Sequence, residues 1–159
     1  MPKEYDPRMH SAEHILNQTM VRMFNCGRCF TSHLERRKSR CYYHFDRDLT
    51  SQDVDEIETR VNTIIESDVG VCEEFISRGE AEKRFDLRRL PDQAGETLRI
   101  INIGDYDACP CIGEHVRRTK EIGVFQIYST SFENGVLKVR FKLAEGFESR
   151  GETTRIDDP

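Results

Sequence analysis

Hydrophobic and polar positions alternate along this chain with two different periods, and each change of period marks an element. Over residues 7–24, Ala12, Ile15, Leu16, Met20 and Met23 recur at near-helical spacing, with Pro7 suited to a first turn and residues 25–27 (Asn-Cys-Gly) ending the run. Residues 29–34 and 41–45 are strand-like, and the charged stretch 35–40 between them predicts a hairpin with a basic tip. Thr50 and Asp53 have capping-box spacing and open a second helix whose stripe is Val54, Ile57, Val61, Ile64 and Ile65. A strand over 69–76 follows. Ser77 and Glu80 then repeat the capping signature before a short third helix to about residue 85.

Residues 90–95 read as a loop, and the β-branched run 98–103 as a buried strand. Runs at 125–132 and 136–143 flank Glu133, Asn134 and Gly135, and Asn-Gly is a strong signal for a two-residue hairpin turn. Elements of both kinds occur without strict β-α-β alternation. The expected class is α+β, a mainly antiparallel sheet packed with two to three helices. At 159 residues the size fits one domain, expected over 1–144, with 145–159 as a polar, flexible tail.

Composition narrows the context. The chain is 36% hydrophobic and 33% charged, lacks an apolar leader or an 18-residue apolar run, and so reads as a cytoplasmic protein with no membrane segment. In that setting six cysteines are thiols or metal ligands rather than a disulfide framework. The net charge of -5 argues against indiscriminate duplex binding, although Arg36, Arg37, Lys38 and Arg40, then Arg117, Arg118 and Lys120, and Arg88 with Arg89 form local basic clusters.

Two motifs carry chemistry. In His10-Ser-Ala-Glu-His14, helical i, i+4 spacing puts two imidazoles on one face. Ser11 follows the first histidine, so this is not the zincin motif, which needs glutamate there. The second motif runs Cys109-Pro-Cys111-Ile-Gly-Glu-His115, in a stretch expected to be loop, with a thiol and an imidazole four residues apart. Each pair alone is weak. Together, His10, His14, Cys111 and His115 make a His₃Cys set that can satisfy the tetrahedral demand of Zn²⁺. Cys26 and Cys29 have C-x-x-C spacing without a β-α-β context and read as turn and strand residues. Cys41 and Cys72 read as buried fillers. No phosphate-binding glycine motif is present.

These residues resemble the editing domain shared by alanyl-tRNA and threonyl-tRNA synthetases, most closely its freestanding AlaX-type form. The carrying segments are the His10–His14 helix, residues 107–116 around Cys111 and His115, and residues 119–127 with Thr119, Gly123 and Ile127. The resemblance implies hydrolysis of a wrong amino acid from tRNA: Ser- or Gly-tRNA(Ala) in the alanine branch, Ser-tRNA(Thr) in the threonine branch. It implies a zinc-assisted aminoacyl-tRNA deacylase in which His10, His14, Cys111 and His115 serve as both ligands and catalytic groups. Thr31 or Ser32 is expected to read the serine hydroxyl. Arg36, Arg37, Lys38, Arg40, Arg117, Arg118 and Lys120 are expected to hold phosphates of the acceptor end. Ile112 and Glu114 stand where the alanine-type stretch carries glycine and threonine, so Ile112 is expected to narrow the approach of the terminal adenosine. The competing expectations are a zinc-stapled module that grips tRNA or a synthetase without catalysis, and a zinc hydrolase of small esters or amides.

Overall fold

In the computed structural model, which describes residues 6–87 and 96–144, helices and antiparallel strands segregate as an α+β fold. Arg88 and Arg89, the 90–95 loop and the 145–159 tail lie outside the described residues. Helix α1 spans Pro7–Phe24; the Asp6 carboxylate caps it by accepting from the Arg8 amide, and Asn25, at φ 54°, closes it in the left-handed region. Strands β1 (Thr31–Leu34) and β2 (Lys38–His44) form the first hairpin. Helix α2 (Ser51–Glu66) starts at a complete Thr50–Asp53 capping box. Strand β3 (Val71–Ser77), helix α3 (Arg78–Arg84), β4 (Thr97–Ile103), β5 (Asp107–Pro110), a 3-10 turn (Thr119–Ile122), β6 (Val124–Glu133) and β7 (Val136–Ala144) complete the order.

The strands form two antiparallel sheets, one in the order β1-β2-β7-β6 and one in the order β3-β4-β5. The inner face of the four-stranded sheet presents Cys41, Tyr43, Leu137, Val139 and Phe141. Helix α1 meets this core with Met9, Ala12, Ile15, Leu16 and Met20, and α2 with Ile57, Val61 and Ile65. Burying each of the larger apolar side chains contributes about 1.5–3 kcal/mol. Among the described residues no helix is long and apolar enough to cross a membrane.

Three expectations shift. The first hairpin turn occupies only residues 35–37, because Ser39 Oγ both accepts from the Glu35 amide and donates to its carbonyl. Lys38 and Arg40 are therefore strand residues rather than parts of a tip; their side chains alternate with buried Ser39 and Cys41, as suits a sheet with one open face. Cys72 is exposed, not a filler, since β3 is an edge strand whose residues mostly face solvent. The Cys109 motif begins in strand β5, which pairs Cys109 with Ile101 and Pro110 with Ile100.

Thr119 fixes the 3-10 turn to α2. Its buried hydroxyl donates to the Ile64 carbonyl at 2.8 Å and accepts from the Val69 amide at 3.0 Å. Thr119→Val keeps the shape but strands both backbone groups. Denaturant unfolding is expected to show a loss of about 1–3 kcal/mol, and an unchanged midpoint would deny the turn this role.

Candidate metal centre

Helix α1 supplies two of the four predicted groups and the segment after β5 supplies the other two. One ligand atom from each of His10, His14, Cys111 and His115 lies within 4.8 Å of every other. The ring centroids of His10 and His115 are 4.2 Å apart, those of His14 and His115 4.5 Å, and those of His10 and His14 5.1 Å. His10 and His14 are buried, whereas Cys111 and His115 are half-buried, so the cluster opens on the side of the loop.

The neighbouring groups set which nitrogens face the cluster. His10 Nδ1 donates to the Glu114 carbonyl at 3.2 Å, which leaves Nε2 to meet Cys111 Sγ at 3.3 Å. His115 Nδ1 lies 2.9 Å from Ser11 Oγ, and its Nε2 is 3.5 Å from the same sulfur. Ser11 Oγ also accepts from the Val116 amide at 3.1 Å, tying the loop to α1. His14 Nδ1 faces Asp107 Oδ2 at 3.6 Å, just beyond hydrogen-bond reach, and is the one buried side-chain polar atom without a hydrogen bond among the described residues. Polar groups facing the outer ring nitrogen are how proteins orient metal-ligating histidines.

Asp107 and Arg28 form a pair behind the quartet that the sequence alone does not reveal. Asp107 is buried at the start of β5 and accepts from Arg28 Nη1 at 2.7 Å, Arg28 Nη2 at 3.2 Å and Gln18 Nε2 at 2.8 Å. Its position inside the resemblance segment was a signal; Arg28, 79 residues away, offered none. Arg99 is a second unforeseen arginine: its Nη1 donates to the carbonyls of Cys111 at 3.1 Å and Gly113 at 2.7 Å. Gly113 itself is required by space, because a Cβ there would stand 2.3 Å from His10 Cε1.

Electrostatics divide the protons unevenly. Burial pushes the Cys111 thiol up, but hydrogen bonds from His10, His115 and His14 outweigh it and hold the thiol down at about 3. Burial disfavours charge on His14, yet Asp107 and Cys111 reverse this and raise it to about 10. His115 is lowered to about 4, first by burial and then by the neighbouring histidines, against the pull of the Cys111 hydrogen bond. Burial opposes ionisation of Asp107, but His14 and Arg28 hold its carboxyl well below the usual range. By themselves the four groups thus form a thiolate with a protonated His14 beside it. A thiolate and three imidazoles suit zinc, and a bound cation would replace the His14 proton. The donor set and its backing acceptors fit such an ion.

The other predicted residues separate. Ser32 shares the inner face of the sheet with Leu34 and lies opposite Cys41, whereas Thr31 lies opposite Tyr42 on the outer face. Of the two, only Ser32 is on the side of α1. Arg36 and Arg37 are exposed in the turn. Arg117, Arg118 and Lys120 lie within five residues of His115 in the chain, and Arg118 is paired with Asp68 at 3.1 Å. Ile112 is 69% exposed at the rim, with Glu114 exposed beside it. A second buried group, Glu13, Cys29 and Cys41, adjoins the quartet; Cys29 Sγ donates to Glu13 Oε2 at 3.4 Å, and Glu13 Oε1 is 3.9 Å from His10 Nε2.

The thiolate makes a pH signature. In metal-free protein, alkylation of Cys111 by iodoacetamide, followed by peptide mass spectrometry, is expected to stay nearly flat from pH 8 down to about 5. Cys109, whose thiol burial pushes up, should react only towards alkaline pH. Gly113→Ala displaces His10 from the sulfur and should move the Cys111 profile to higher pH. A Cys111 rate that falls steeply with acid in the wild type would contradict the assignment.

The chain is similar to known proteins over a part of their length. Residues 98–156 match the family model described as the threonyl and alanyl tRNA synthetase second additional domain. Alanine–tRNA ligase of Halorubrum lacusprofundi is 37% identical over 72% of the chain, that of Methanococcus maripaludis strain C7 31% identical over 95%, and that of Leptospira biflexa 31% identical over 74%. The chain spans only 12%, 17% and 13% of those three ligases. Fold, ordered motifs and matched segments together support the similarity of this chain to the editing-type domain shared by threonyl- and alanyl-tRNA synthetases.

Proposed function

We propose that the chain hydrolyses the ester bond of mischarged tRNA, with Ser- or Gly-tRNA(Ala) as substrates and the quartet as its zinc-holding catalytic site. The observation that carries this reading is the convergence of three imidazoles and a depressed thiol at one open-sided cluster. A bound zinc ion would supply Lewis-acid polarisation of the ester carbonyl and a more acidic water. His10, His14, Cys111 and His115 would hold it.

The chain's own residues do the rest. Glu114 and Ser11 keep Nε2 of His10 and His115 turned inward, and Asp107 does the same for His14. Arg99 holds the 111–113 backbone so that Cys111 and His115 stay on the α1 side. Ser32 is the better placed of the two hydroxyls proposed to read a serine substrate. Arg117 and Lys120, two and five residues after His115, are the cations proposed to meet the phosphates of the esterified end. Such an activity has an energetic purpose. A synthetase pocket discriminates weakly against an amino acid differing by one small group, so a second site must remove the product.

A second reading is favoured by one feature. Four protein ligands fill a tetrahedral shell, as structural zinc sites do. A zinc-stapled module that binds tRNA without hydrolysing it would be built the same way.

Deacylation of a charged-tRNA panel, combined with metal analysis, separates the two. The zinc-loaded wild type is expected to release serine or glycine from tRNA(Ala) faster than serine from tRNA(Thr). His10→Ala should abolish release while the chain stays folded. Asp107→Asn should cost about 10–100-fold in metal affinity or rate. A wild type inert on all three substrates, with His10→Ala losing folding stability instead, would establish the stapled module.

A further inference from the structure

The four-stranded sheet has two unlike faces. Its inner face is core, but the outer face carries Lys38, Arg40, Tyr42 and His44 on β2 and Lys138, Arg140 and Lys142 on β7. The register sets Arg40 opposite Arg140 and Lys38 opposite Lys142. Like charges directly opposite one another weaken a sheet. Among the described residues, none of these five cations forms an ion pair with a carboxylate. A chain of net charge -5 thus concentrates positive charge on one surface at a cost to its own stability. Departures of this kind from local design mark functional surfaces.

Aromatic planes lie among the cations. Lys138 Nζ sits 5.5 Å from the centroid of the Tyr42 ring, and Lys38 Nζ 5.9 Å from that of Tyr128. Phe30 stacks on His44 at 4.1 Å, and His33 meets Tyr42 edge-on at 6.2 Å. Phe30 and Tyr128 are 37% and 42% exposed. Cations interleaved with open rings match a partner that offers repeating anions together with stackable planes. That chemistry is RNA, whose phosphates pair with lysine and arginine and whose unstacked bases lie on aromatic side chains.

We propose that this outer face is an RNA-binding surface, in which Lys38, Arg40, Lys138, Arg140 and Lys142 neutralise phosphates and Tyr42, Tyr128 and Phe30 receive bases. Taking that RNA to be tRNA rests on the proposed function. The face lies on the opposite side of the sheet from the quartet, so it grips a part of the RNA other than the esterified end. His33, too, belongs to this surface and not to the quartet.

The test measures fluorescence anisotropy of uncharged tRNA with the full chain across a salt series. Arg140→Gln with Lys142→Gln removes two cations and both like-charge oppositions, so the double variant should keep or raise its melting temperature. Its affinity should fall about tenfold at 0.1 M salt, and the slope of log K against log salt should shrink by about 1.4–1.8, two contacts at about 0.7–0.9 each. Affinity and slope equal to wild type, or a wild type that binds no tRNA, would overturn the proposal. Loss of binding to anionic phospholipid vesicles but not to tRNA would overturn it in favour of a lipid surface. Failure of the hydrolase reading is distinguishable, because it would appear as intact tRNA esters while the double variant still loses affinity and slope.

Discussion

A carboxylate buried between α1 and β5 is tolerable only if its charge is met, and Asp107 meets this requirement by collecting Arg28 and Gln18 and facing His14. An ion left unpaired in such a place costs several kcal/mol. The demand therefore holds the end of β5 against the middle of α1, and the chain leaving β5 must pass close to His10. Only glycine fits that crossing at position 113. Arg99 then anchors the passing carbonyls from β4, and Ser11 takes up His115 and the Val116 amide. The quartet is what this crossing produces: four ligand atoms in one place, with Glu114, Ser11 and Asp107 facing the outer nitrogens of the three imidazoles.

The same arrangement explains the unusual ionisation of the site. Three imidazoles around one sulfur favour its thiolate, and the thiolate with Asp107 keeps a proton on His14. A divalent ion suits this environment because it would supply the positive charge that the His14 proton supplies otherwise. Metal binding at this cluster would consequently be coupled to proton release.

Much of this was legible in the sequence, for identifiable reasons. Helices α1 and α2 announce themselves through local signals, a proline in the first turn, an Asn-Cys-Gly exit and a Thr50–Asp53 capping box. The histidine pair is readable because helical geometry alone fixes an i, i+4 spacing. What joined it to Cys111 and His115 was the resemblance in motif order, not spacing, since no local rule reaches across a hundred residues. The roles of Arg28, Arg99 and Asp107 are not legible for that reason: they depend on β4-β5 pairing and on the crossing over α1. Lys38 and Arg40 resemble a tip because charge is also a loop signal, whereas a sheet with one uncovered face accepts charge at every second position. Cys72 departs in the opposite sense, an apolar residue that suggests an interior which an edge strand does not have.

The central claim is that these four side chains together bind one zinc ion, and zinc K-edge X-ray absorption on the zinc-loaded chain tests it most directly. The expected shell is three nitrogens at about 2.0–2.1 Å and one sulfur at about 2.3 Å, with the sulfur contribution vanishing in Cys111→Ser. A first shell of oxygen alone, or a sulfur signal that survives this substitution, would contradict the account.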